Sequence, residues 1–395
     1  MTPSVSGQSH HLASMDDPIW DLVVIGAGPA GGMTSYLAAK SGLRTLLIER
    51  HAFPRNKVCG GCLNSAGVDL LNRVGLGEIP RRFGLVVDQF YLGLKHRRFQ
   101  IPLPAGVAIA RTDLDSELVQ AAMEQGAHFL SETTAHVGAL RSDHREIRLV
   151  SHGLSRVVRA SSVVIASGLK GAGGIETHGE SLFRTRVSHD SRIGAGCTLP
   201  GEMSEYPAGR ISMAIGRKGY VGLTPTRQGL GIASAFDSQF LKTHQGPAAA
   251  AVEILHEAGF AVPIGIHDVP WSGTLPLTRQ TRPVAANRIF LVGDAAGYVE
   301  PFTGQGMAIA IQAAAELTPI LKNAAHQPVG ICEREWTKYY TRHISNRHFP
   351  ASLTARLLRR PMVASLAFGL VSCVPRTSNY MIQSINRTIE IPSAH

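Results

Sequence analysis

Trp20-Asp21-Leu22-Val23-Val24-Ile25-Gly26-Ala27-Gly28-Pro29-Ala30-Gly31 is the stretch that decides the fold. The run up to Ile25 reads as a buried strand. A Gly-x-Gly-x-x-Gly turn follows, and a helix is predicted from about Ala30 to Ser41. Each glycine has a physical use there. Gly26 permits the tight turn, Gly28 lets a diphosphate approach the backbone, and Gly31 permits close helix–strand packing. Pro29 and Ala30 lie in the same passage and count as cofactor-binding positions with the glycines. The helix N-terminus offers N–H groups and a positive dipole end to an anion.

The context on either side completes the unit. Residues 43–49 are predicted as a second strand, ending at Glu49. Strand, helix and strand make a βαβ unit of about 30 residues. Glu49 is placed to accept hydrogen bonds from an adenosine ribose, and its charge disfavours a 2′-phosphate. Arg50 follows it and is counted with it. These features alone fit either NAD or FAD.

The second half of the chain separates the two. A strand is predicted over Ser162–Ala166, ending at Ser167-Gly168, with Gly168 at the cofactor edge. Another spans Ile289–Val292 and runs into Gly293-Asp294-Ala295-Ala296-Gly297. Pro301 and Gly304-Gln305-Gly306 then open a helix expected to reach about Lys322. This arrangement resembles the second FAD fingerprint of the flavoprotein hydroxylases and geranylgeranyl reductases. In those proteins the aspartate binds the ribityl chain and the helix start faces the pyrimidine edge of the flavin. There the helix dipole would favour the negative charge of reduced flavin. Arg111-Thr112-Asp113-Leu114-Asp115 is similar to a third family element, whose Arg lies near the FAD diphosphate. The resemblance covers about residues 20–325 and implies FAD, with Cys59, Gly60 and Gly61 in the loop against the isoalloxazine.

That loop reads Lys57-Val58-Cys59-Gly60-Gly61-Cys62. Cys59 is the first candidate for a flavin-proximal catalytic residue. A redox Cys-x-x-Cys is a second reading, and a purely structural Cys62 is a third. A zinc site needs more ligands than this pair supplies, so no metal is expected. On the substrate side, Gly219-Tyr220-Val221-Gly222-Leu223-Thr224-Pro225 matches a strand that faces the substrate in relatives. Geranylgeranyl reductases carry Tyr-x-Trp-x-Phe-Pro there; this chain has neither Trp nor Phe in the stretch. Tyr220 is the second catalytic candidate, with a place in the strand core as its alternative.

Composition bounds the rest. The chain has 395 residues, 44% hydrophobic and 17% charged, with a formal net charge of +10. A sizeable core is expected and global disorder is excluded. The charge raises nucleic acid, an anionic membrane or an anionic cofactor as partners. Residues 333–395 hold nine Lys/Arg and three Glu, so six of the ten positive units lie there. With aromatics at 6% a base-stacking surface is weakly supported, and no nucleic-acid partner is expected. Arg356, Arg359 and Arg360 precede the apolar run Met362–Val374. That segment reads either as a contact with an anionic membrane surface or as a helix packed on the FAD domain. The polar residues 1–19 show no signal-peptide pattern, and the Pro361–Pro375 run is short of the ~20 residues that span a bilayer. A cytoplasmic protein, with peripheral membrane contact through its C-terminal segment, is expected. Seventeen histidines form no metalloprotease pattern, and no serine nucleophile elbow is present.

The expected fold is α/β. A Rossmann-like FAD-binding domain of the aromatic-hydroxylase type carries an inserted antiparallel substrate sheet and C-terminal helices. The polar tail takes residues 1–19 and the FAD domain 20–85, 105–185 and 276–332. The substrate domain takes 86–104 and 186–275, and the basic helical segment 333–395. The expected function is FAD-dependent redox chemistry on a hydrophobic small molecule (a lipid, isoprenoid or polyketide). Hydride transfer involving a carbon–carbon double bond leads. Monooxygenation through a C4a-hydroperoxyflavin is the alternative, and disulfide oxidoreduction by Cys59 and Cys62 the third. NAD(P)H or a protein donor would serve as transient reductant.

Overall fold

A computed structural model describes Leu12 and residues 19–171, 182–300, 302, 304–324 and 327–345. Its first sheet has a parallel centre. In spatial order the strands are Ile289–Leu291, Leu154–Ile165, Ile19–Ile25, Thr45–Ile48 and His128–Leu130. Leu22, Val23, Val24, Leu46, Leu47, Val163 and Val164 are all buried there. A parallel sheet covered on both faces requires such near-continuous apolar runs. The strands Thr134–Leu140 and Arg145–Ser151 extend the sheet antiparallel from Leu154–Ile165.

The helix Pro29–Lys40 crosses between the first two strands. It packs on the helices Gly306–Asn323 and Arg111–Glu124. Pro29–Lys40 and Gly306–Asn323 begin within two residues of their sequence-based expectations. Trp336, on the helix Val329–Tyr339, is fully buried and donates its indole N–H to the Leu291 carbonyl at 3.1 Å. That contact fastens the C-terminal described helix to the first sheet.

The second sheet has eight strands and is mainly antiparallel. Its order is Ser272–Pro276, Ile193–Leu199, Gly229–Phe236, Gly219–Thr226, Arg210–Gly216, Leu85–Leu94, Arg97–Ala108 and Cys62–Leu63. One pair departs from the expected antiparallel pattern: Arg210–Gly216 runs parallel to Leu85–Leu94. The strands also overrun the expected bounds. The hairpin extends from Leu85 to Ala108, and Cys62 and Leu63 pair with Ala108 and Val107. A small third sheet joins Arg184–Val187, Arg279–Arg282 and Gly297–Tyr298.

Among the described residues no helix is long and apolar enough to cross a membrane. The basic, apolar stretch Arg356–Val374 and Pro301 lie outside the described residues.

Candidate functional site

The strand register assembles the site. Ile25 pairs with both Ile48 and Ile165, and Ile165 pairs with Leu291. The turns that follow, at Gly26, Glu49, Ala166–Gly168 and Val292–Asp294, therefore emerge side by side. They lie at the carboxyl edge of a parallel sheet, where such folds bind ligands.

Backbone closeness sets the shape of that edge. Gly26 takes a φ of +109°. A β-carbon on Gly31 would stand 1.8 Å from the Gly26 carbonyl oxygen, so turn and helix meet at a distance only glycine allows. The second fingerprint is locked to the first: a β-carbon on Gly293 would lie 3.1 Å from the Ala30 methyl. No side chain caps the helix at Pro29, so its N-terminal dipole faces the cavity.

Charged side chains surround the turn. Glu49 is buried and accepts hydrogen bonds from the backbone N–H groups of Ala27 and His51, each at 3.2 Å. Arg55 donates to Glu49 at 2.9 Å and to Asp115 at 3.2 Å. Arg111 grips Asp115 with two bonds of 2.9 and 2.8 Å. The two guanidinium groups converge on Gly28, 3.3 and 3.7 Å from where its β-carbon would be. Burial pushes the Glu49 carboxyl up, but Arg55 and the two backbone N–H donors outweigh it, so its pKa lies below the usual carboxylate range. Arg111 is enclosed, and Asp115 holds its pKa above the usual arginine value. Burial raises Asp294 more than Lys57, Arg111 and Arg279 lower it. Lys57 is exposed to the cavity it lines. The protein packed around it, and then Arg111, push its pKa down.

The glycine-rich edge opens into a cavity of about 800 Å³ that continues to the second sheet. Strand alternation sends Tyr220, Gly222 and Thr224 to the cavity from one strand and Ile211 and Met213 from its neighbour. Phe90, Ile101 and Leu103 of the long hairpin add to that wall. Tyr220 is 3% exposed and edge-on to Phe302 at 5.4 Å. It thus belongs to the core cluster and to the cavity wall at once. Behind it, Arg192 is 1% exposed, with its guanidinium 5.7 Å from the Tyr220 ring centre. Arg192 bonds Glu300 and Asp237, each at 2.9 Å.

The structure brings most of the sequence-predicted residues to this one cavity. Gly26, Gly28, Pro29, Ala30, Glu49, Arg50 and Arg111 line one end. Cys59, Gly60, Gly168, Gly293, Asp294, Gly304 and Gly306 line the middle, and Tyr220 the far wall. Three stand off it. Gly31 packs on Gly26; Gly61 takes a φ of +66° and accepts a hydrogen bond from the Ile109 N–H; Gln305 is the N-cap of the Gly306 helix. Arg50 is exposed and donates to the His51 ring. Cys62 lies beside Gly304, and burial pushes its thiol up to about 12. A thiol so raised is a poor nucleophile. Cys59 and Cys62 are both free. Among the described residues no group of His, Cys, Asp or Glu has the arrangement of a metal site.

Arg55, Lys57, Asp115 and Tyr298 also face or brace the cavity, beyond the residues that the motifs single out. A signal existed for the first two: both are cations in the loop directly after the Glu49 strand. Asp115 stands four residues after Arg111, one helical turn.

Comparison with known proteins agrees with this geometry. The family model of the FAD binding domain matches residues 20–327. The chain is 28% identical over 334 residues to a menaquinone reductase of Mycobacterium tuberculosis, covering 74% of each protein. It is 28% identical over 311 residues to a digeranylgeranylglycerophospholipid reductase of Methanopyrus kandleri, covering 74% of this chain and 77% of that one. Its fold is similar to that of p-nitrophenol 4-monooxygenase from Pseudomonas putida, with a TM-score of 0.74 and 14% identity over 95% of this chain and all of the other. A parallel sheet edge with two interlocked glycine fingerprints, and a family match across three-quarters of the length, lead to one conclusion: the chain belongs to the FAD-binding-domain family and is an FAD-dependent oxidoreductase.

Proposed function

We propose that this enzyme reduces a carbon–carbon double bond in a hydrophobic, prenyl-bearing small molecule. The observation that carries the reading is the continuity of the cavity: the charged glycine-rich edge runs without a break into an apolar wall. The relatives' names support it: one is a menaquinone reductase and the other a digeranylgeranylglycerophospholipid reductase. When bound, FAD supplies hydride transfer at its isoalloxazine ring.

The chain's own residues do the rest. Gly28 with Arg55 and Arg111 would hold the diphosphate, and Glu49 the adenosine ribose. Asp294 would meet the ribityl hydroxyls, and the Gly304–Gly306 helix start the pyrimidine edge. Cys59 and Gly60 would lie against the ring. Phe90, Ile211, Met213 and Tyr220 would orient the apolar substrate and exclude water, which strengthens every charge interaction inside. The small Gly222 and Thr224, where geranylgeranyl reductases carry bulkier aromatics, leave room for a ring or branched chain beside Tyr220. Reducing equivalents would come from NAD(P)H or a protein donor.

Anaerobic mixing of the reduced holoenzyme with a menaquinone, and separately with a geranylgeranyl lipid, tests this. Flavin reoxidation with a product richer by two hydrogens is the expected result. Hydroxylation is the second reading, and the fold's likeness to a monooxygenase favours it. It requires no reoxidation by these substrates without oxygen, and incorporation of one oxygen atom from labelled dioxygen into the product.

A further inference from the structure

The loop between the Glu49 strand and Cys62 carries a cation that neither fingerprint explains. Lys57 leaves this loop and lies across Gly168, which follows a different strand. Its Nζ stands 2.5 Å from the point a β-carbon on Gly168 would occupy, and Asp294 Oδ2 stands 4.0 Å from the same point. A side chain at 168 would therefore force the ammonium group to shift. Gly168 itself takes a φ of +67°, a conformation glycine adopts without strain. Arg111 and Arg55 sit over Gly28, and all three cations line the same cavity.

The charges around this point do not pair off evenly. Asp115 is held by two bonds from Arg111 and one from Arg55, and Glu49 by one from Arg55. Lys57 has no such bidentate partner. Its nearest anionic neighbour across Gly168 is Asp294, which also feels Arg111 and Arg279. Three cations that line one cavity repel one another unless an anion meets them. A dinucleotide's diphosphate is that anion, and it belongs on the same edge by the placement of Gly28.

We propose that Lys57 is a third cation of the diphosphate site, held across Gly168 and positioned by Asp294, and that it sets the affinity for the adenosine-diphosphate half of FAD. The lowered pKa of Lys57 agrees with this placement, because an anion beside it would raise it again. The inference rests on FAD as the cofactor and not on which substrate is reduced.

Binding of ADP, riboflavin and FAD to the apoprotein, followed by calorimetry and flavin fluorescence, tests it. Lys57→Met should weaken ADP and FAD by roughly ten- to hundredfold at low salt, the usual weight of one charge-assisted hydrogen bond. Riboflavin affinity should stay within about twofold. The loss should shrink as ionic strength rises, and Lys57→Arg should recover most of it. An unchanged near-ultraviolet spectrum of Lys57→Met should show that the fold is kept. An equal loss for riboflavin and ADP would overturn the proposal. So would full FAD affinity in Lys57→Met/Asp294→Asn, because Lys57 would then merely neutralise Asp294.

Discussion

The two ends of the cavity are built by opposite means. At the glycine-rich end, parallel strands stop in register and present backbone, with Arg55, Lys57 and Arg111 facing Glu49, Asp115 and Asp294. At the far end, the antiparallel sheet presents alternate side chains, and its charges stand behind the wall as the Arg192–Glu300–Asp237 cluster. A site made of close backbone approaches tolerates one residue type per position. A wall made of side chains changes by substitution without moving the backbone. In the function proposed above, cofactor identity is thus fixed at the first end, and substrate choice is free to vary at the second.

The sharpest way to break this contrast is at Gly31. Gly31→Val places a side chain on the Gly26 carbonyl, so the protein should purify without flavin or fail to fold. Absorbance near 450 nm per chain reads this. Met213→Ala, on the other wall, should keep its full flavin content.

Glu300→Ala comes next. It leaves the buried Arg192 without its closest buried partner, and should cost about 3–5 kcal/mol in urea unfolding. Arg192→Met/Glu300→Met should recover most of that loss, since an apolar pair avoids the stranded charge. If Glu300→Ala proved neutral, the cluster would not support the wall.

Met213→Trp should then separate the two ends functionally. By filling the apolar end it should lower turnover of a prenyl substrate at least tenfold, a loss of about 1.4 kcal/mol in transition-state binding. The FAD dissociation constant should stay unchanged.

Acid stability sharpens the charged end. The folded-state pKa of Glu49 is depressed, so its contribution is present above the ordinary glutamate range and lost as pH falls through the lower folded value. The Glu49→Gln protein should show a flatter acid limb in unfolding experiments between about pH 5 and 2.

The smallest effect is expected at Cys62. Its raised thiol stabilises the fold below the ordinary value of 9.0 and loses that contribution as pH climbs towards 12. Cys62→Ser should remove this alkaline term and retain turnover, and alkylation of Cys62 at pH 8 should be slow. Loss of turnover in Cys62→Ser would revive the dithiol reading.

Much of the charged end was legible in one dimension because its parts are local. Gly26 to Gly31 is one turn, and the strand that ends at Glu49 is the next element. Gly293-Asp294 announced itself by following an apolar run. Arg55 and Lys57 escaped because their meaning depends on partners far along the chain: Asp115 lies sixty residues beyond Arg55, and Gly168 follows a strand that a single sequence does not place beside the loop. The Arg192–Glu300 pair spans 108 residues and has no local signature at all. Tyr220 reads as core or as site in one dimension, and its strand puts it in both.

The amino-acid sequence by itself determined a dinucleotide cofactor, because a diphosphate held by backbone demands glycine at set spacings within one strand–turn–helix. Tertiary structure alone decided which cations reach that edge, which side chains wall the substrate end, and how Glu300 meets Arg192. Those contacts depend on strand order and register, and register is set by the packing of whole sheets, not by any short stretch of residues.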